Sequence, residues 1–227
     1  MLKSIIKKID IRQYEHAKYM LFIPIYMAMF ILEERYITTQ YFVSYMPLDD
    51  MIPFCEWFVI PYFCWYPLMI GTGLYLFFKD PEGFKNYMLF IGAGFLLIVL
   101  FYAFFPNGQN LRPTSFARSN FLIDIVKWTY SRDTNTNVCP SLHVVGTMGA
   151  MFALLECPKI RKLWFKIFVV ILAISICLST CYIKQHSALD VVTGIPLGII
   201  YYFAVYRWLP RLRTIKETRQ REPKVIH

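Results

Sequence analysis

Long apolar runs separated by shorter polar segments form the main pattern along this chain. A helix that crosses the hydrocarbon core of a bilayer needs about 20 mostly apolar residues. Six runs approach that length, so the pattern predicts an all-α, polytopic membrane protein built as a six-transmembrane-helix bundle. The predicted spans are residues 19–36, 57–78, 86–105, 142–157, 163–183 and 187–208.

The two ends of the chain differ from this central part. Residues 1–18 place apolar side chains at helical spacing beside basic ones, which is typical of an interfacial helix on anionic headgroups. A solvated basic tail fits the same residues. Residues 209–227 are again basic. The predicted organisation is therefore an N-terminal interfacial segment (1–18), a six-span membrane domain (19–208) and a basic cytoplasmic tail (209–227).

The composition and the placement of charge agree with a membrane protein. Hydrophobic residues make up 57% of the chain and charged residues 17%, whereas about a quarter of a soluble domain is charged. If six spans alternate, most lysines and arginines fall on one side. By the positive-inside rule both termini are then cytoplasmic, in a multi-pass protein of the plasma membrane. The net charge of +9 reflects this orientation, and nucleic acid is not an expected partner.

Polar side chains that could bind or react with a substrate fall on the opposite, outer side. The loop 106–141 carries apolar and aromatic residues that predict a short helix folded back on the membrane surface. Ionisable groups at a membrane are candidates for function by default, because they are costly there. The candidates are Arg112, Ser141, His143, Ser179, Lys184, His186 and Asp190.

This set suits chemistry at phosphorus. His186 and Asp190 lie four residues apart and share one helix face, so the carboxylate can orient a histidine that attacks phosphorus. His143 can protonate the leaving oxygen and then activate water or an alcohol. Arg112 can grip phosphate oxygens, and Ser141 fits both phosphate binding and a helix N-cap. Two histidines and an aspartate could instead hold a metal, but no third histidine or further clustered carboxylate accompanies them.

Three segments, taken in order, resemble the signatures of a known family. Pro140-Ser141-Leu142-His143 resembles the second signature of the type 2 phosphatidic acid phosphatase superfamily, Pro-Ser-x-His. Ser179, His186 and Asp190 resemble the third, Ser-Arg-five residues-His-three residues-Asp. Arg112-Pro113 is similar to the end of the first. The resemblance covers residues 57–208.

The resemblance implies a division of roles. It makes His186 the nucleophile, Asp190 its orienting partner and His143 the acid and base, with no metal and no organic cofactor. It also implies that Arg112, Ser141 and Ser179 bind the phosphate.

Two family cations are absent from their expected positions. Phe105 stands where the first signature has lysine, and Thr180 where the third has arginine. Lys184 is the nearest substitute, and Arg118 and Arg132 are others. Sphingomyelin synthases and the fungal-type inositol phosphorylceramide synthases, which are phosphotransferase relatives, also relax these positions. The absence of these two cations therefore strengthens the case for transfer of the phosphoryl group to an alcohol rather than to water.

The expected function is hydrolysis of a lipid phosphate monoester or diphosphate, phosphatidate-like or polyprenyl diphosphate. The reaction would pass through a phosphohistidine at the outer membrane face. The alternative is a lipid phosphotransferase that moves a phospho-headgroup between lipids. An inactive lipid-binding protein or a transporter is the third reading. The expected partners are a lipid phosphate and the membrane, and a homo-oligomer remains open.

Overall fold

The computed structural model describes residues 11–36 and 40–212, and helices dominate this part of the chain. The elements in chain order are a 3-10 helix (Ile11–Leu21), α1 (Phe22–Tyr36), β1 (Phe42–Val43), α2 (Leu48–Met51), α3 (Glu56–Lys79), α4 (Pro81–Phe104), β2 (Asn107–Gly108), α5 (Phe121–Arg132), α6 (Leu142–Glu156), α7 (Leu163–Tyr182) and α8 (Ala188–Leu212).

Three of the long helices are locally irregular. Helix α3 opens with a 3-10 turn (Glu56–Phe58) and continues as Val59–Phe63 and Trp65–Lys79. A π-helical turn interrupts α4 at Leu89–Ala93 and α8 at Ala204–Trp208.

The predicted all-α class is confirmed, and each predicted span coincides with a helical segment. Within the described residues, four helices are long and apolar enough to cross a membrane, namely α3, α4, α7 and α8. Helices α1 and α6 have 15 residues each, so six crossings remain a prediction. The helix predicted within loop 106–141 is present as α5. Residues 1–10 and 213–227, which hold most of the two predicted terminal segments, lie outside the described residues.

Side-chain caps fix where the helices around the outer loops begin. Asn120 accepts a hydrogen bond from the Ile123 amide (2.9 Å) at the start of α5. Ser141 accepts one from the Val144 amide (3.3 Å) at the start of α6. Ser187 and Asp190 form a capping box at the start of α8. Each cap satisfies amides that the first turn leaves unpaired, which stabilises a helix by about 1 kcal/mol.

Helix α6 is the centre of the bundle and packs against α3, α7 and α8. Its small residues allow close approach of the neighbouring helices. A Cβ added at Gly149 would lie 2.6 Å from Ile91 Cδ1 and 2.7 Å from Phe90 Cδ1, both on α4. Glycine at this position is therefore required by packing.

Hydrogen bonds between helix ends show that α3 runs opposite to α7, and α4 opposite to α6. The Cys55 amide, next to the start of α3, donates to the Tyr182 carbonyl at the end of α7 (3.0 Å). Near the end of α4, the Tyr102 hydroxyl donates to the Pro140 carbonyl just before α6 (2.5 Å). The end where these contacts lie is called the site end below. The opposite end carries the basic residues Lys79, Lys85, Lys159, Lys162, Lys166 and Arg207.

A short strand pairing fastens the first loop, residues 40–55 between α1 and α3, onto the site end. β1 and β2 pair in parallel, with Phe42 opposite Asn107. The Ser44 amide extends the pairing by donating to the Gly108 carbonyl (2.7 Å). Residues 40–55 are thus held beside loop 106–141.

Gly149→Ala is expected to lower the unfolding temperature of the purified protein by several degrees. The new methyl group overlaps Phe90 and Ile91, and overpacking of this kind costs about 1–3 kcal/mol. Thermal unfolding in detergent, followed by circular dichroism, measures the effect.

Gly71→Ala is the matched control, because a Cβ there meets no atom within 4 Å and alanine favours the helix. It should unfold at the wild-type temperature or above it. A Gly149→Ala protein as stable as Gly71→Ala would contradict the packing of α6 against α4.

Candidate active site

His186 and Asp190 form a buried pair at the start of α8. His186 Nδ1 lies 3.1 Å from Asp190 Oδ2, and the side chains are 7% and 0% exposed. A carboxylate only accepts hydrogen bonds, so the proton in this contact belongs to Nδ1. The lone pair of His186 is then on Nε2. The predicted orienting contact is therefore present.

The Asp190 carboxylate has two further donors. The Ser187 amide donates to Oδ2 (2.9 Å), and the Ser44 hydroxyl donates to Oδ1. Ser44 lies on the first loop, 146 residues away in sequence. Hydrogen bonds to both oxygens compensate for the burial of the carboxylate, which would otherwise be costly.

His186 Nε2 faces the start of α6. It lies 3.3 Å from Ser141 Oγ and 3.3 Å from His143 Nδ1. The Ser141 amide donates to the Asp190 carbonyl (3.1 Å), which ties the first turns of α6 and α8 together. Two capped helix starts therefore bring the predicted nucleophile, acid/base and one predicted phosphate ligand into contact.

Aromatic rings from α3 flank His143. Its ring centroid lies 4.7 Å from that of Trp65 and 4.8 Å from that of Tyr62. His143 Nε2 is buried and has no hydrogen-bond partner among the described residues. This nitrogen is therefore free to bond a bound group.

The turn between α7 and α8 is fixed by carbonyl contacts from several parts of the chain. The amides of Gln185 and His186 both donate to the Thr180 carbonyl (2.9 and 3.0 Å). Gln109 Nε2 donates to the Lys184 carbonyl (3.0 Å), and the Tyr130 hydroxyl donates to the Ile183 carbonyl. The backbone around His186 is thus held before any substrate binds.

Asp49 stabilises the start of α8 from the first loop. Its carboxylate accepts hydrogen bonds from the Ser187 hydroxyl (2.5 Å) and the Ala188 amide (2.7 Å). A negative charge at a helix N-terminus is favourable. Asp49 is only 3% exposed, so this loop packs directly on the helix that carries Asp190.

Lys184 points into the first loop and has no hydrogen bond to the histidines. Its ammonium donates to the carbonyls of Asp49 (2.9 Å) and Ile52 (2.6 Å). Its backbone has a φ of 54°, a left-handed conformation that is uncommon for lysine. The two carbonyl contacts help to hold it there. Its predicted phosphate contact would require the side chain to leave these partners.

Arg112 lies beside the site, against the end of α5. Its guanidinium donates to the carbonyls of Tyr130 (3.2 Å), Asp133 (3.0 Å) and Thr134 (2.6 Å), and it lies over the Tyr130 ring (4.6 Å). Burial lowers the pKa of Arg112. Its Nε is buried and has no partner within residues 11–36 and 40–212.

Asp133 is a buried carboxylate next to the residue that precedes His186. Its Oδ2 accepts hydrogen bonds from Gln185 Nε2 (3.0 Å) and the Tyr62 hydroxyl (3.3 Å). Burial raises the pKa of Asp133, and the positive charge that His186 and Arg112 can carry opposes this rise. The Asp133 carboxylate is therefore close enough to interact electrostatically with both His186 and Arg112.

The side chains of Ser179 and of the two divergent positions, Thr180 and Phe105, take no part in the hydrogen bonds of the two histidine rings among the described residues. The Ser179 hydroxyl donates to the Ile176 carbonyl (2.6 Å) and the Thr180 hydroxyl to the Cys177 carbonyl (2.8 Å), both within α7. Both residues are fully buried, whereas Phe105 is 62% exposed after α4. The structure thus brings together His143, Ser141, His186 and Asp190, and bonds Arg112, Ser179 and Lys184 elsewhere.

Sequence reasoning missed Ser44, Asp49, Gln109 and Asp133. An acidic pair, Asp49-Asp50, in an otherwise apolar chain was the only local signal. The partners of Ser44 and Asp49 lie well over 100 residues further along the chain. A single sequence contains no direct information about such pairs.

No group of three or more His, Cys, Asp or Glu side chains is placed to hold a metal ion within the described ranges. This finding does not test catalysis without a metal or an organic cofactor, which stays a prediction.

Comparison with known proteins identifies the family. No curated protein and no solved structure matches the chain significantly. The PAP2 superfamily matches residues 87–214, more than half of the chain. This region contains Ser141, His143, His186 and Asp190, whereas Ser44 and Asp49 precede it. The chain therefore belongs to the PAP2 superfamily and, with its long apolar helices, is a membrane enzyme of the phosphatase type.

Proposed function

We propose that this enzyme hydrolyses a lipid phosphate monoester or diphosphate, of the phosphatidate or polyprenyl diphosphate class, through a phosphohistidine on His186. The hydrogen-bond contacts of the two ring nitrogens of His186 support the proposal. Its Nδ1 is held by Asp190 at 3.1 Å, while its Nε2 lies 3.3 Å from both Ser141 and His143. This is the arrangement that a carboxylate-oriented nucleophile with a neighbouring acid requires.

In the first step, the Nε2 lone pair of His186 attacks phosphorus. A P–N bond forms as the P–O bond to the lipid breaks, and His143 gives its proton to the departing oxygen. Asp190 stabilises the positive charge that develops on the His186 ring. The products of this step are the lipid alcohol (or lipid monophosphate) and the phosphohistidine.

In the second step, neutral His143 takes a proton from water as the water oxygen attacks phosphorus. The P–N bond breaks and inorganic phosphate leaves, so both histidines return to their starting states. His143 must turn away from His186 when substrate binds, because a phosphoryl group on Nε2 needs the space that His143 Nδ1 fills at 3.3 Å.

We propose that Ser141 and Arg112 are the first phosphate ligands. Ser141 already contacts His186, and Arg112 has a buried Nε without a partner in the described part of the chain. Phosphate would satisfy this donor. To bind phosphate as predicted, the Ser179 hydroxyl must release the Ile176 carbonyl, and the Lys184 ammonium must release the carbonyls of Asp49 and Ile52.

We propose a six-span arrangement with the site at the outer face. In this proposal α1 and α6 complete six crossings, although neither has the full length of a span. The basic residues gather at the end opposite His186, which would be cytoplasmic together with both termini. A lipid phosphate would reach the histidines sideways from the outer leaflet.

Headgroup transfer between lipids is the second candidate function. Its support is the absence of the two family cations, since Thr180 is buried with its hydroxyl bonded inside α7 and Phe105 is 62% exposed. The same phosphohistidine would serve an alcohol as well as water.

Reconstituted protein given a radiolabelled lipid phosphate is expected to release inorganic phosphate. Adding diacylglycerol or ceramide to the vesicles, together with a phospholipid donor that carries a labelled headgroup, tests for transfer. Phosphate release that acceptors do not change supports the hydrolase, and labelled headgroup on the acceptor supports the transferase. Neither product from any lipid phosphate in the panel would contradict both proposals and favour an inactive protein.

His186→Ala is expected to abolish turnover because no phosphohistidine can form. His143→Ala should lower kcat about 10²–10⁴-fold, since it removes the acid and base. Steady-state phosphate release measures both. His16→Gln is the matched control, because His16 contacts the Phe77 carbonyl (3.0 Å) at the opposite end of the bundle. Normal rates in His143→Ala would contradict its role.

Ser44→Ala is expected to lower kcat about tenfold with little change in KM, because one buried oxygen of Asp190 loses its donor. Ser44→Thr retains a hydroxyl and should recover part of the rate. Ser131→Ala is the control, since the exposed Ser131 hydroxyl donates to the Trp128 carbonyl of its own helix, away from Asp190. If Ser44→Ala turns over as fast as Ser131→Ala, Ser44 does not position Asp190.

A further inference from the structure

A groove of about 460 Å³ lies at the end of the bundle away from the histidines. It runs between α3 and the connection from α6 to α7. Gly71 and Trp164 are among its apolar lining residues, and Lys159, Arg161 and Lys162 form its rim. None of these residues belongs to the candidate active site.

The rim concentrates positive charge. Arg161 and Lys162 are exposed, and neither takes part in an ion pair or side-chain hydrogen bond with any residue of 11–36 or 40–212. Lys159 donates to the Lys79 carbonyl at the end of α3. The lining residues in the described chain include no carboxylate. The groove therefore suits a ligand with a negative charge beside an apolar part.

The wall of the groove contains a buried hydroxyl. Thr72 is 3% exposed, and its Oγ1 has no hydrogen-bond partner in the described part of the chain. An unpaired polar atom in apolar surroundings is costly, so an acceptor on a ligand would be favourable there. Next to it, a Cβ added at Gly71 would meet no atom within 4 Å, so the helix surface is open.

We propose that this groove binds one acidic glycerophospholipid of the surrounding bilayer. The phosphate lies against Arg161 and Lys162, an acyl chain lies along Gly71, and a lipid ester oxygen accepts from Thr72. Basic pockets between membrane helices bind acidic headgroups in this way. Trp164, an apolar lining residue beside the rim, is 64% exposed and belongs to a residue type enriched at membrane interfaces. The proposal does not depend on the catalytic role of His186.

Native mass spectrometry of the detergent-purified full chain tests this site with dioleoyl phosphatidylglycerol and dioleoyl phosphatidylcholine as probes. The wild type is expected to retain one phosphatidylglycerol in preference to phosphatidylcholine. The double variant Arg161→Gln/Lys162→Gln should bind phosphatidylglycerol on the order of tenfold more weakly, because two headgroup cations are lost. Gly71→Leu should also weaken binding, because its side chain occupies the acyl path.

The matched control is Lys79→Gln/Lys85→Gln, which removes two positive charges at the same end but outside the groove. It should bind phosphatidylglycerol as the wild type does. Equal binding of the two lipids by the wild type, or equal losses in the control and the Arg161/Lys162 variant, would overturn the proposal. Undiminished binding in the Arg161/Lys162 variant, whose exposed positions tolerate glutamine, would overturn it as well.

Discussion

The hydrogen bond between His186 Nδ1 and Asp190 is the interaction on which the rest of the site depends. It fixes the tautomer that leaves the Nε2 lone pair facing Ser141 and His143. Asp190 is fully buried, and a carboxylate in that position is tolerated only when hydrogen bonds replace water. The donors come from its own capping box and from Ser44 on a distant loop. The position of His186, the proposed nucleophile, is therefore a product of tertiary packing as well as of local helix structure.

The first loop consequently has a function beyond connecting two helices. Through Ser44 it completes the partners of Asp190, and through Asp49 it stabilises the first turn of α8. Lys184 returns the contact by donating to two carbonyls of this loop. The loop and the α7–α8 turn thus hold each other, with Gln109 adding a third connection. These contacts explain why the Lys184 ammonium, two residues before His186, is directed toward the first loop.

The sequence was sufficient to predict the helices and the candidate site residues that lie in short local motifs. Long apolar runs located each long helix of the described residues, and motif spacing selected His186, Asp190, His143 and Ser141 as candidates, which the structure brings together. It could not supply the bracing residues, because their partners are distant in sequence and no local pattern encodes them. It also placed Lys184 by distance along the chain, whereas the left-handed backbone at that residue turns the side chain toward Asp49. Local rules therefore found the candidate reacting groups, and tertiary contacts determined their surroundings.

Trapping the covalent intermediate tests the central claim most directly. Wild-type protein is mixed with a lipid phosphate labelled with phosphorus-32, quenched in alkali within one turnover, digested and mapped by mass spectrometry. The account predicts alkali-stable, acid-labile label on His186, and none in His186→Ala. Label on a different residue, or continued phosphate release by His186→Ala, would contradict it.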